Sequence, residues 1–119
     1  MKIESNLTYR TLCELLGKFD GIKHKDTFDS IEVIGNAQKP SLEVFKAKYE
    51  DLKTRVIPFE ELRIKRDTML SETDKYATID YPHPTPEIKQ AWLDYRQALR
   101  DLPANTTDPE NPVWPVAPN

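Results

Sequence analysis

One cysteine, two histidines and three glycines in 119 residues remove several classes of protein at the outset. Cys13 alone closes no internal disulfide, which excludes a stapled secreted miniprotein and fits a reducing compartment. His24 and His83 stand 59 positions apart, and no HExxH or CxxC spacing occurs. His24 with Asp26 and Asp29 reads as a solvated loop, and Cys13, beside Leu12, as a small packing residue rather than a nucleophile. Gly17, Gly21 and Gly35 form neither GxGxxG nor GxxxxGK, so no phosphate cradle is expected. No catalytic, cofactor-binding or metal-ligating residue is therefore expected. Long apolar runs are missing as well: the longest span only a few residues, against the roughly 20 that cross a bilayer, and the opening MKIESNLTYR has no apolar heart. The expectation is a chain neither exported nor inserted in a membrane. Basic excess is the last absence, since 17 Lys and Arg face 20 Asp and Glu for a net charge of -3, the wrong sign for neutralising phosphates. Nucleic acid and membrane are not expected partners.

Apolar residues are sparse too, at 38%, and this length suits one domain of modest size with a thin core. What is abundant is proline, and its distribution organises the chain. Eight of ten prolines follow residue 80: Pro82, Pro84 and Pro86 alternate, and Pro103, Pro109, Pro112, Pro115 and Pro118 fall in the last 17 residues. Proline fixes φ and removes a donor, so these stretches are extended or turn segments. Charge is skewed in the same direction, because residues 74–119 carry four basic and seven acidic side chains while the remainder balances.

Four stretches have helical periodicity. In LTYRTLCELLGKF, Leu12, Leu15, Leu16 and Phe19 share a face, with Ser5 or Asn6 as the cap and Gly21 as the stop. After Pro40-Ser41, the residues Leu42, Phe45, Tyr49, Leu52 and Val56 step by three and four, a seam that packs inside the chain or against a second copy. Pro58 interrupts this pattern before Phe59, Leu62, Met69 and Leu70 resume it, so two helices or one kinked helix result. Thr85-Pro86-Glu87 sets a cap, a first-turn proline and an early acid before Ile88, Ala91, Trp92, Tyr95, Ala98, Leu99 and Leu102, and Pro103 closes that helix. Between the first two helices, the β-branched run Ile31, Val33, Ile34 predicts a strand pairing with residues near Gly21–His24. The fold class is mainly α: a C-terminal helical hairpin with a proline-rich extended tail, and a short β-hairpin near residues 21–35. Trp114 sits among the prolines of NPVWPVAPN, where it either folds back onto a helix or docks on another protein; folding back is favoured because it enlarges a thin core.

Three ordered blocks in the second half resemble the C-terminal module of phage tail assembly chaperones. Members look like R-x-x-R-x-x-L-L-x-x-T-D-W, a spacer, W-x-x-Y-R-Q-x-L-R-D-L/I, and P-E-N-x-x-W-P. Arg63, Arg66, Leu70, Thr73 and Asp74 match the first block; Trp92, Tyr95, Arg96, Gln97, Leu99, Arg100, Asp101 and Leu102 the second; Pro109, Glu110, Asn111, Trp114 and Pro115 the third. Lys75-Tyr76 stands where the family has tryptophan after Thr-Asp, which shifts an aromatic contact by one position or weakens it. The resemblance spans about residues 62–118. It divides the chain into an uncharacterised N-terminal part, 1–56, helical with a short strand, and a chaperone-like module, 57–119.

The resemblance implies a non-enzymatic tail-assembly or tail-fibre chaperone that binds tail components in the host cytoplasm. The rival is a permanent structural adaptor of the virion tail or fibre. Implied partners are phage tail or tail-fibre proteins, with a homo-oligomer through the Leu42–Val56 seam as a further option. The residues expected to bind the partner or build the module's core are Arg63, Arg66, Asp74, Trp92, Tyr95, Arg96, Leu99, Arg100, Asp101, Trp114 and Pro115. Of the charged ones, Arg96 and Arg100 are spaced to clamp carboxylates or carbonyls, and Asp74 or Asp101 to bridge two helices.

Overall fold

The computed structural model describes residues 1–118. The chain divides into two compact units, Met1–Val56 and the residues from Ile57 onward, instead of closing around one core. Each unit is small and buries its own short set of apolar side chains.

In the first unit, helix α1 spans Ser5–Leu16, strands β1 (Gly21–Lys23) and β2 (Glu32–Ile34) form an antiparallel pair, and helix α2 spans Leu42–Asp51. The strand register sets Ile22 opposite Val33, the pairing that the β-branched run predicts. Two terminal details of α1 differ from expectation. Its N-cap is Glu4, whose side chain makes no cap bond; the Glu4 amide instead donates to the Tyr49 hydroxyl at 2.9 Å. The helix stops at Gly17, not Gly21, because Gly17 takes φ 73° and returns its N–H to the Cys13 carbonyl at 3.0 Å. A left-handed φ suits glycine, and Gly21 is left to open β1. Gly35 also needs a positive φ, 105°, at the end of β2, and a Cβ there would meet Asp20 Oδ2 at 2.5 Å. Ser41 caps α2 by accepting from the Val44 amide at 3.3 Å. The seam of α2 turns inward within this unit. Phe45, Tyr49 and Leu52 are buried with Leu7, Leu12, Phe28 and Ile31, and the Phe28, Phe45 and Tyr49 rings follow one another at 5.0 and 5.5 Å. Most of the apolar surface offered to a second copy is thus used inside the unit.

A π-helical turn, Leu52–Val56, separates α2 from helix α3, Ile57–Glu72. Pro58 is the second residue of α3, and the wide turn before it relieves the clash of its ring with the carbonyl one turn back. In the second unit, α3 is followed by a 3₁₀ turn at Asp74–Ala77 and helix α4 at Pro86–Asn105. Thr85 caps α4 by accepting from the Ile88 amide at 3.1 Å, with Pro86 and Glu87 in the first turn. Pro103 does not end the helix. It lies in the last turn, where one missing donor costs a single bond, and α4 continues to Asn105 while the Thr106 hydroxyl donates to the Leu102 carbonyl at 2.6 Å. Pro58, Leu62, Tyr95, Leu99 and Leu102 are the buried apolar side chains of the two helices.

Candidate partner-binding module

The second unit is a helical hairpin fastened by one arginine. Arg96 Nη1 donates to the Leu70 carbonyl at 2.7 Å and the Thr73 hydroxyl at 2.8 Å, and Nη2 donates to Asp74 Oδ1 at 2.7 Å. Leu70 lies in the last turn of α3, where its carbonyl accepts from the Thr73 amide at 3.1 Å, and the guanidinium adds a second, charged cap supplied by another helix. The fork geometry permits it, since one planar group reaches three acceptors. The pair is asymmetric: the Arg96 side chain is 7% exposed and that of Asp74 67%. One turn further along, Arg66 extends an Nη1 donor to the Arg100 carbonyl at 3.5 Å while binding the Asp67 carboxylate at 2.8 Å. Position 66 faces 100 and position 70 faces 96, so α3 and α4 run antiparallel.

Aromatic rings close the end of the hairpin. Tyr76 stacks on Trp92 with centroids 3.9 Å apart and planes 10° from parallel, and Trp92 meets Tyr95 edge-on at 5.7 Å. Tyr76 is the residue one position beyond the family's tryptophan, and it makes this stack from the 3₁₀ turn. Tyr81 adds an edge contact to Tyr76 at 4.8 Å. His83 Nε2 donates to the Tyr76 carbonyl at 2.8 Å, which ties the proline-alternating spacer to the turn.

The tail returns along the hairpin. Asp108-Pro109-Glu110-Asn111 is a turn: Asp108 Oδ1 accepts from the Glu110 amide at 3.1 Å, Oδ2 from Asn111 Nδ2 at 2.9 Å, and its carbonyl from the Asn111 amide at 3.1 Å. Pro109 is buried, Trp114 and Pro115 half-buried, and Lys65 Nζ of α3 lies 4.7 Å from the Trp114 ring centroid. Folding back, the favoured of the two fates for Trp114, is the arrangement seen. Between tail and helix a groove of about 610 Å³ remains, bounded by the α4 stripe from Asp94 to Asn105 and by Thr107 to Pro115.

The eleven singled-out residues therefore have unlike surroundings. Tyr95, Arg96 and Leu99 are buried in the unit, with Trp92 and Arg66 half-buried. Asp74 bridges the helices through Arg96, whereas Asp101 stays on α4 and accepts from Gln97 Nε2 at 3.1 Å. Arg63 lies exposed over the Phe59 ring at 5.4 Å, and Arg100 is exposed with Nη1 3.4 Å from Gln97 Oε1. Asp101, Trp114 and Pro115 border the groove. Sequence reasoning missed the groove itself and the acceptor role of the Leu70 carbonyl. The signal for the groove was present as Asp94, Gln97, Ala98, Asp101 and Asn105, a stripe at three- and four-residue steps on the side of α4 away from Tyr95 and Leu99.

Among the described residues, no group of His, Cys, Asp or Glu is arranged to hold a metal ion, and no helix is long and apolar enough to cross a membrane. In the first unit the Arg55 guanidinium holds the Asp51 carboxyl below its ordinary value and is itself raised. No curated protein and no solved structure matches the chain. Comparison with known families matches residues 59–119 to the phage tail assembly chaperone protein family. That span is the hairpin, its arginine cap, its aromatic end and its returning tail, and by it the chain belongs to the phage tail assembly chaperone family.

Proposed function

We propose that this protein acts without catalysis in the host cytoplasm, binding tail or tail-fibre components until the growing tail takes them up. The family match over residues 59–119 carries this reading. The tail supports it physically: Val113 and Val116 are 85% and 90% exposed on either side of half-buried Trp114 and Pro115, so a seated tail segment still offers aliphatic surface to a client. A chaperone of this kind shields an apolar or strand-edge surface of its client and is then displaced.

Co-expression with the tail and tail-fibre proteins of the same phage tests the reading. The expected result is a complex, or a gain in client solubility. No complex and no change in solubility with any of them would sink it. Mass spectrometry of purified particles separates a chaperone, absent or substoichiometric, from a permanent adaptor in fixed copy number.

A further inference from the structure

The groove between α4 and the tail is chemically one-sided. Three carboxylates line it, from Asp94, Asp101 and Asp108, and no lysine or arginine is among its lining residues. Each carboxylate is held by neutral donors alone: Asp94 by Gln90 Nε2 at 2.8 Å, Asp101 by Gln97, and Asp108 by Asn111 and the Glu110 amide. None of the three forms an ion pair among the described residues, so their charge is uncompensated. The remaining walls mix neutral polar side chains such as Gln97, Asn105 and Asn111 with apolar ones, Ala98, Leu102 and Trp114 prominent, and the apolar surface is the larger share. Asp94 and Asp101 are seven residues apart on α4, about 10 Å along the axis. The volume lies within the range of specific binding clefts, about 300–1,000 Å³.

An anionic rim around an apolar floor is complementary to a segment that carries positive charge on an aliphatic or aromatic frame, and it disfavours acidic or purely polar segments. We infer that this groove takes a short basic-apolar segment of the client, lysine or arginine side chains bracketing one or two hydrophobic ones. The inference rests on the client-binding reading above and specifies which surface of the protein, and which chemistry of the client, make the contact. It also accounts for the charge skew of the chain, since three of the seven acids after residue 73 face this groove.

The test uses the full chain and overlapping twelve-residue peptides tiled across the tail and tail-fibre proteins of the same phage. Captured peptides should be rich in lysine and arginine beside apolar residues. Their affinity should fall about tenfold or more in the Asp94→Asn/Asp101→Asn double variant, because hydrogen bonds to charged groups are the strong ones. It should also fall as salt is raised from about 0.1 to 1 M, where screening shortens from about 10 to 3 Å. Asparagine retains the oxygen that accepts from Gln90 and Gln97, so the helix stripe is preserved. Capture of neutral or acidic peptides, capture unchanged in the double variant, or no capture at all would overturn the inference. Co-expression of the wild-type chain with intact tail proteins separates the two levels. A complex without basic-peptide capture rejects the groove and leaves the chaperone reading standing, whereas no complex rejects the reading itself.

Discussion

Arg96 shows how accessibility decides what a charged pair contributes. Its guanidinium is nearly enclosed, while Asp74 remains mostly in water. Attraction to an exposed carboxylate is screened and contributes roughly 0–1 kcal/mol. The Leu70 carbonyl and Thr73 hydroxyl are different: both are half-buried, and although Thr73 still donates to Leu70 and Met69, losing Arg96 removes two short bonds from a charged donor that tie the helices together. Arg96→Ala is therefore expected to destabilise the hairpin by about 2–4 kcal/mol, and Asp74→Ala by less than about 1. Arg96→Lys should recover little, since an ammonium cannot span three acceptors. Urea titration of the three variants checks the order, and equal losses for Arg96→Ala and Asp74→Ala would contradict it.

The starts of α2 and α4 were legible, whereas that of α1 was not, since Glu4 stands at its N-cap in place of Ser5 or Asn6. Thr85 places its hydroxyl before Pro86 and Glu87, and Ser41 precedes α2; both cap as their sequences direct because an N-cap is a local hydrogen bond. Thr85→Ala should cost about 1 kcal/mol, seen as faster amide exchange in the first turn of α4. Gly17 outranks Gly21 because its backbone takes the left-handed φ and returns its N–H to the Cys13 carbonyl, and Pro103 is tolerated because it falls in the last turn of α4. The break at Pro58 is legible in the sequence, but a five-residue π turn is not, since nothing local distinguishes it from a kink. Asp51 ends α2, and both its oxygens accept from Arg55, at 2.8 Å from Nε and 3.2 Å from Nη2. The pair lowers the Asp51 carboxyl in the folded state, so its small contribution exists above the ordinary value of 3.8 and fades as pH falls through the folded one. In Arg55→Gln, nuclear magnetic resonance titration should move the Asp51 midpoint upward; an unmoved midpoint would refute the pairing.

Across the molecule, composition suggested one thin core, and the chain answers with two small ones. The turn in the third block was legible because its bonds are local, from Glu110 and Asn111 to Asp108, whereas the arginine cap and the ring stack join different elements and are set by the fold. The groove was not legible either, because a cavity is defined by what stays apart, and no residue pattern states a distance between a helix and a tail. Removing residues 108–119 tests how far the tail supports its unit. Loss of buried Pro109 and half-buried Trp114 should cost about 1–3 kcal/mol, with exchange accelerating in α4 and unchanged in α1. Unaltered α4 protection would mean that the tail rests on the hairpin without stabilising it.

The two indoles occupy unlike surroundings. Trp92 is stacked flat on a phenol ring, whereas Trp114 lies beside an ammonium group at the margin of open space. The chain therefore carries two built-in optical reporters. With Trp92→Phe, emission from the remaining indole follows the tail alone; with Trp114→Phe, it follows the aromatic end of the hairpin. Client capture and unfolding can then be timed separately in one protein without an added dye.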